Sequence, residues 1–301
     1  MKLYFLYWNT ENKDSKEDVL EGILKTHSID IIILGESKKG LSNGFCKVND
    51  LIELVLLSGE REELRMRLYY KHKHDLAFRH LNNFSDSEEK EIIMHETIDT
   101  ILIQRTIKRI ARVVQLEMTI NNEKYLLSCI HFPSKNNQDE VSQLQTAYNY
   151  KKYILEKNAD YNQKVIIVGD FNMNPFDAGM IEPHGFYALN HQDLIRDNVT
   201  FQHSPETMLY NPCWWLMGDY HPKNSSIKVS GSHYFKSAPS KKLYWHLFDQ
   251  VLISKNMIDH FNYDDLEVLE IEEILQELKS KKTREQAIYA DHLPIMYSLN
   301  F

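Results

Sequence analysis

The chain has 301 residues, 43% of them apolar, and a formal charge of −8. That supplies ample material for a packed core, and no apolar run approaches the ~20 residues that a membrane-spanning helix requires. Cys46, Cys129 and Cys213 are irregularly spaced and suggest neither a disulfide framework nor a zinc motif, so the expected compartment is a reducing cytoplasm.

The first apolar run, residues 3–8, stops at Asn9 and lacks the longer apolar stretch and cleavage site of a signal peptide. Residues 11–26 read as a helix with Val19, Leu20, Ile23 and Leu24 on one side. Residues 31–34 are a second apolar run, closed by Gly35-Glu36. Residues 51–57 read as a short helix capped by Asn49 or Asp50. Residues 64–70 and 76–81 read as strands, and the polar stretch 86–95 as a helix or an exposed loop. Residues 100–107, 111–120 and 125–132 read as consecutive strands, the last two joined by a turn at Asn121-Asn122-Glu123. The third of them carries His131. Residues 139–157 read as a helix with Val141, Leu144, Tyr148 and Ile154 in register.

Residues 165–172 are the most informative stretch. Val165 to Val168 are β-branched throughout and read as a strand buried on both faces. Gly169 permits a backbone turn. Asp170 and Asn172 follow two apart, so an extended chain points both the same way. A carboxylate at the end of a buried strand is costly unless a metal, a phosphate or a proton transfer requires it. Downstream, residues 210–217 form an aromatic and apolar cluster that includes Trp214. Residues 247–254 place Asp249 inside an apolar strand. Residues 265–282 read as an amphipathic, Glu-rich helix. Asp291-His292-Leu293-Pro294 opens the last apolar run.

The charge is uneven. Acid concentrates at residues 86–96 and 259–277. Arg61, Arg65, Arg67, Lys71, Lys73 and Arg79 form one basic group. Arg105, Lys108, Arg109 and Arg112 form another. Lys223, Lys228, Lys236, Lys241 and Lys242 form a third, just before the Asp249 strand. An acidic protein can still present a basic groove to phosphates. Each feature also has a plain structural reading. Charge groups are often ordinary solvated faces, Glu36 can cap a turn, and His131 can be a bonded core residue. Asp170 and Asn172 can cap a strand end, and the Trp214 cluster can be core under a loop.

Taken in order, Asn9, Glu36, His131, Gly169-Asp170-Phe171-Asn172, Asp249 and Asp291-His292 resemble the motifs of the endonuclease/exonuclease/phosphatase (deoxyribonuclease I-like) superfamily. The resemblance implies an α/β (α+β) fold: a four-layer α/β/β/α sandwich of two mainly antiparallel sheets flanked by helices. Because the motifs run from one end to the other, residues 1–301 are expected to form one such domain. The implied activity is that of a Mg2+-dependent phosphodiester hydrolase, with Mn2+ as the substitute ion. Asn9, Glu36 and Asp291 are the implied metal ligands. His131, Asp170, Asn172, Asp249 and His292 are the implied catalytic set, with Asp249 orienting His292. Nucleic acid is the expected substrate, met by Lys223, Lys228, Lys241, Lys242 and Trp214. A phosphatase or phosphodiesterase for a small phosphorylated molecule or a phospholipid head group is the alternative. Many members of the superfamily have Ser where Ala290 stands here, and abasic-site endonucleases have Tyr where His131 stands. His131 therefore points away from dedicated abasic-site repair.

Overall fold

The computed structural model describes residues 1–58, 62–97, 100–134, 139–156, 158–197, 207–218, 229–235, 244–280 and 286–301. Of residues 62, 86–97 and 100–109 it describes the backbone alone. Strands β1 (Lys2–Asn9) and β2 (Ile31–Gly35) flank helix α1 (Lys16–Thr26). Helix α2 (Asn43–Val48) leads into β3 (Leu51–Leu54), β4 (Glu62–Glu63) and β5 (Arg67–Lys71). A long hairpin, β6 (Leu76–Thr97) and β7 (Thr100–Ile120), is followed by β8 (Glu123–His131). Helix α3 (Glu140–Leu155) precedes β9 (Val165–Asp170). Short elements follow: α4 (Ala178–Ile181), β10 (Ala188–Leu189), α5 (Gln192–Arg196), β11 (Leu209–Tyr210), β12 (His233–Tyr234) and β13 (Trp245–His246). The chain closes with β14 (Asp249–Ile253), β15 (Phe261–Val268), α6 (Glu272–Lys279) and β16 (Ile295–Asn300).

These strands build two sheets. The first has the order β15-β16-β1-β2-β5-β3. The second has the order β10-β11-β14-β9-β8-β7-β4, with β6 paired to β7. Most neighbours run antiparallel; β1–β2, β8–β9, β10–β11 and β4–β7 are parallel. The period-2 geometry of a strand explains the layering. In β1, Phe5 and Tyr7 point inward, meeting Val168, Val251 and Leu127 of the second sheet. Leu6 and Trp8 alternate with them and point outward, under Leu20 and Ile23 of α1 and Ile274 and Leu278 of α6. Val165 and Ile167 of β9 point away from the first sheet and pack under Ala147, Tyr150 and Ile154 of α3. Each fully buried side chain of this kind contributes about 1.5–3 kcal/mol through apolar burial. The result is the expected helix–sheet–sheet–helix sandwich.

Several expected elements differ. The first helix begins only at Lys16, because Glu11 and Asn12 adopt left-handed backbone at φ 49° and 57°. Residues 51–54 are a strand, not a helix. They pair with β5, and the helix lies just upstream, where the Ser42 side chain caps Phe45 N–H. The polar stretch 86–95 is strand as well, zipped to β7 from Ser85↔Ala111 out to Thr97↔Thr100. In α3 the buried positions are Gln143, Ala147, Tyr150, Lys151 and Ile154, whereas Val141 is 75% exposed. The packed face is thus rotated from the expected one. The first part of residues 265–282 is the end of β15, and the helix starts only at Glu272. The Asn121-Asn122 turn is as expected, with both residues left-handed at φ 50° and 64°.

Gly169 cannot be replaced without cost. Its φ is +155°, and a Cβ there would lie 1.9 Å from the Ile130 carbonyl oxygen of β8. Gly169→Ala should therefore lower stability by about 3 kcal/mol or more, read as a shifted urea midpoint. An unchanged midpoint would contradict this tight β8–β9 approach.

Candidate active site

The functional side chains hang from strand ends, and sheet register brings them together. In the second sheet, Asp170 pairs directly with Asp249 on one side and with His131 on the other. In the first sheet, Asn9 pairs with Gly35, so Glu36 follows immediately beside it. The sheets meet because Tyr7 of β1 accepts a hydrogen bond from Asp170 N–H at 3.1 Å. A Cβ at Gly35 would lie 2.3 Å from that same Tyr7 hydroxyl, so this strand end requires glycine. Glu36 and Asn172 then turn out of their strands in left-handed backbone, at φ 43° and 50°.

Asn9 Nδ2 donates to Asp170 Oδ2 at 3.0 Å and approaches Glu36 Oε1 at 3.4 Å. Glu36 Oε1 is 3.2 Å from His131 Nε2. Asn172 donates its backbone N–H to Asp170 Oδ1 at 2.8 Å and its side-chain amide to the Phe132 carbonyl, also at 2.8 Å. His292 donates from Nδ1 to Asp249 Oδ2 at 2.7 Å. Its Nε2 lies 4.0 Å from Asp170 Oδ2 and 3.7 Å from Asp291 Oδ1. The backbone of His292 is fixed separately, its carbonyl accepting from Trp8 Nε1 at 2.9 Å. Six members of the sequence-derived catalytic and metal set therefore form one run of neighbours, from His131 through Glu36, Asn9 and Asp170 to His292 and Asp291, with Asn172 beside Asp170 and Asp249 beside His292.

The electrostatics follow from burial and pairing. Burial works against charge on Glu36, but the His131 hydrogen bond and the imidazoles of His131 and His292 outweigh it, holding the carboxyl well below its usual range. Asp170 moves the other way. Burial, reinforced by Asp249, pushes it up to about 6 despite the opposing His292 and His131. His292 is raised well above the ordinary imidazole value: burial opposes its charge, and Asp249, Asp170 and Asp291 overcome that. Among the described residues, His131 Nδ1 and Asp249 Oδ1 are buried without a hydrogen-bond partner. Such orphaned atoms are unusual and fit a site awaiting substrate or solvent.

Three groups offer donor atoms within 4.8 Å of one another: Glu36, His131 and Asp170; Asp170, Asp249 and His292; and His233, Asp291 and His292. Glu36 and Asp291 fall in separate groups. Asp170 brings a second carboxylate to the Glu36 group, and Asn9 now bridges the two with its amide N–H, a partial positive charge where a cation's full charge would go. This oxygen-rich set fits a hard divalent ion.

Sequence reasoning missed His233, which lies in a stretch with no motif and reaches the site through an antiparallel bridge to His292. Burial, then the charge of His292, lowers it to about 4, so it is neutral beside a charged neighbour. Of the expected substrate contacts, Lys223, Lys228, Lys241 and Lys242 lie outside the described residues. Trp214 is 38% exposed in a short turn, Pro212–Leu216, anchored through Cys213 to mid-strand Val251 rather than to the Asp249 end. The basic group after Glu36 is largely paired: Arg65 with Glu63, Arg67 with Glu53, Lys73 with Asp30 and Arg79 with Glu117.

Asp249→Ala should cost about 3 kcal/mol in urea unfolding at pH 6, because it strands a buried imidazolium. The folded pKa of His292 is raised, so the pair stabilises fully below the unfolded value near 6.5 and loses its effect as pH rises through the folded value. The gap between the two proteins should therefore narrow toward alkaline pH; a constant gap would mean that His292 carries no such charge.

No family model and no curated protein matches the chain by sequence. Solved structures match it in fold. TDP2 of D. rerio, complexed with single strand DNA product, is 15% identical, with 100% of this chain and 99% of that one aligned and a TM-score of 0.50. The 3′ phosphatase NExo from Neisseria, bound to product DNA hairpin, is 12% identical over 99% and 100%, with a TM-score of 0.52. An endonuclease/exonuclease/phosphatase family protein from Bacteroides thetaiotaomicron is 13% identical over 99% and 95%, with a TM-score of 0.50. The chain has the fold of the endonuclease/exonuclease/phosphatase proteins from end to end.

Proposed function

We propose that this chain is a divalent-metal-dependent phosphodiester hydrolase, a nuclease that cleaves DNA or RNA by in-line attack of water. The observation that carries the reading is the convergence of six strand ends, each delivering a carboxylate, an amide or an imidazole to one line of side chains. Glu36 would hold the ion, with the Asn9 amide turned so that its oxygen faces inward and Asp170 left to act as the base; Asp291 lies at the far side of His292. Mg2+ is the proposed ion because oxygen donors dominate. When bound, such an ion polarises the phosphoryl oxygen and stabilises the developing charge.

The chain's own groups divide the remaining work. Asp170, pushed up to about 6, accepts a proton from the attacking water near neutral pH. Asn172 locks that carboxylate by its backbone N–H. His292, kept charged by Asp249, binds the transition-state phosphate. His131 lies on the other side of Glu36, where it serves the leaving oxygen. Neither a Cys nor a Ser nucleophile is required. Burial pushes the Cys129 and Cys213 thiols up to about 12, which makes both inert. All three thiols are unpaired, in keeping with the proposed cytoplasmic compartment. No helix among the described residues is long and apolar enough to cross a membrane.

The paired state of Arg65, Arg67, Lys73 and Arg79 favours a second reading, hydrolysis of a small phosphorylated molecule. That basic group commits its charge to neighbouring acids, and Lys73 and Arg79 do so at the ends of β2 and β7 remote from Glu36 and His131. Incubating the protein with supercoiled plasmid and Mg2+ separates the readings. Nicking is expected, with Glu36→Gln and Asp170→Asn each slower by about 10²–10⁴-fold. The rate should also fall steeply as salt rises, as phosphate contacts require. Intact plasmid with every divalent ion, alongside turnover of small phosphoesters, would replace the nuclease reading with the second one.

A further inference from the structure

The rings behind His292 form a column. His292 stacks on His233, with centroids 4.5 Å apart and planes at 27°. His233 stacks in turn on Phe248 at 5.3 Å and 25°, and His246 meets Phe248 in a tilted contact at 4.9 Å and 31°. Phe235 closes the side with an edge contact to His233 at 4.5 Å and 83°. His233 is also tethered. Its Nδ1 donates to the Asp291 backbone carbonyl at 2.9 Å, and the Leu293 N–H bonds the carbonyl of Ser232 next to it at 2.7 Å.

His233, Asp291 and His292 bring donor atoms within 4.8 Å of one another, as a metal site would. The ring geometry argues against a shared ion. An imidazole nitrogen directs its lone pair in the ring plane, and two stacked rings direct theirs along nearly parallel lines. One ion cannot lie on both.

The stack does something else. The Asp249 hydrogen bond fixes one atom of the His292 ring and one direction. It leaves the ring free to swing about the line from Nδ1 to Oδ2, which would carry Nε2 away from Asp170. A flat partner pressed on one face removes that freedom. We propose that His233 is a positioning residue, whose tethered ring sets the plane of His292 and so aims its Nε2 at Asp170. This rests on the hydrolase reading for its catalytic consequence, though not for its structural one.

The test uses the full chain and three variants: His233→Ala, His233→Phe and His233→Leu. His233→Ala removes the ring, and His233→Phe keeps a flat face without the Asp291 tether. His233→Leu fills the space without a flat face and takes the place of Ala if that variant does not fold. With plasmid as substrate, His233→Ala should lower kcat by about 10–100-fold and leave KM within about threefold, the signature of a misaimed group. His233→Phe should restore kcat to within about threefold of the wild type. The second readout needs no substrate. The His292 Nδ1–H bonded to Asp249 should give a narrow downfield proton resonance in the wild type and in His233→Phe, and a broadened one in His233→Ala or His233→Leu. An unbroadened resonance without the ring overturns the proposal, as does a His233→Phe spectrum as broad as that of His233→Leu. If the wild type has no phosphodiesterase activity, the hydrolase reading fails and the resonance alone decides the positioning role.

Discussion

The site depends on one pairing. Register sets Asp170 directly opposite Asp249, so two carboxylates share the buried ends of neighbouring strands. Register is discrete: a slip of one residue would turn every side chain of β9 to the other face. Two buried anions side by side are unfavourable unless cations or donors surround them. The rest of the site supplies those groups. His292 binds one carboxylate, Asn9 and Asn172 donate to the other, and the Asp170 N–H meets Tyr7 from the opposite sheet. The same pressure splits the pair in behaviour. Asp249 bonds the His292 imidazole, while burial and the neighbouring Asp249 push the Asp170 carboxyl up to about 6. Two like groups in unlike surroundings take different roles, and here the sheet geometry supplies the difference.

Those compensating groups tie the site to the fold. His292 is held by Asp249 from the second sheet and by Trp8 from the first. Asn9 lies at the end of β1 and reaches Asp170 at the end of β9. Sliding one sheet against the other would break these contacts together, so the apolar core between the sheets also maintains the active-site distances. Tyr7 joins the two functions in one residue. Its ring packs in that core, and its hydroxyl touches both Asp170 and the space that Gly35 leaves open.

How much of this is legible in the sequence depends on whether a feature is local. Strand ends that stop abruptly at Asn9, Glu36, His131 and Asp170 are local: buried apolar runs require a reason for a polar residue at the end. The Asn121-Asn122 turn is local as well. The far half of the β6–β7 hairpin is not. Residues 86–95 are polar and show no alternation, and only the partner strand makes them extended. Residues 51–54 fail for the same reason, since they become strand by pairing with β5. The packed face of α3 departs from its apolar positions because Gln143 and Lys151 are buried there. The Lys151 stem packs inward while its ammonium reaches the Pro183 carbonyl at 3.0 Å.

His233 is the sharpest case of a tertiary effect. Nothing in Gly231-Ser232-His233 marks it as more than a loop histidine. Gly231 at φ +149° brings the backbone so close to the His246 carbonyl that a Cβ would not fit. The Ser232 N–H then bonds that carbonyl at 2.9 Å, and the Ser232 hydroxyl accepts from Asp249 N–H at 3.1 Å. Once the backbone is set this way, the His233 ring faces His292. A residue distant in the chain thus joins His292 through backbone bonds that are individually ordinary. The proposed catalytic set itself reads out from strand ends because its cost is local. The groups that hold its geometry do not, because their value exists only after the sheets have met.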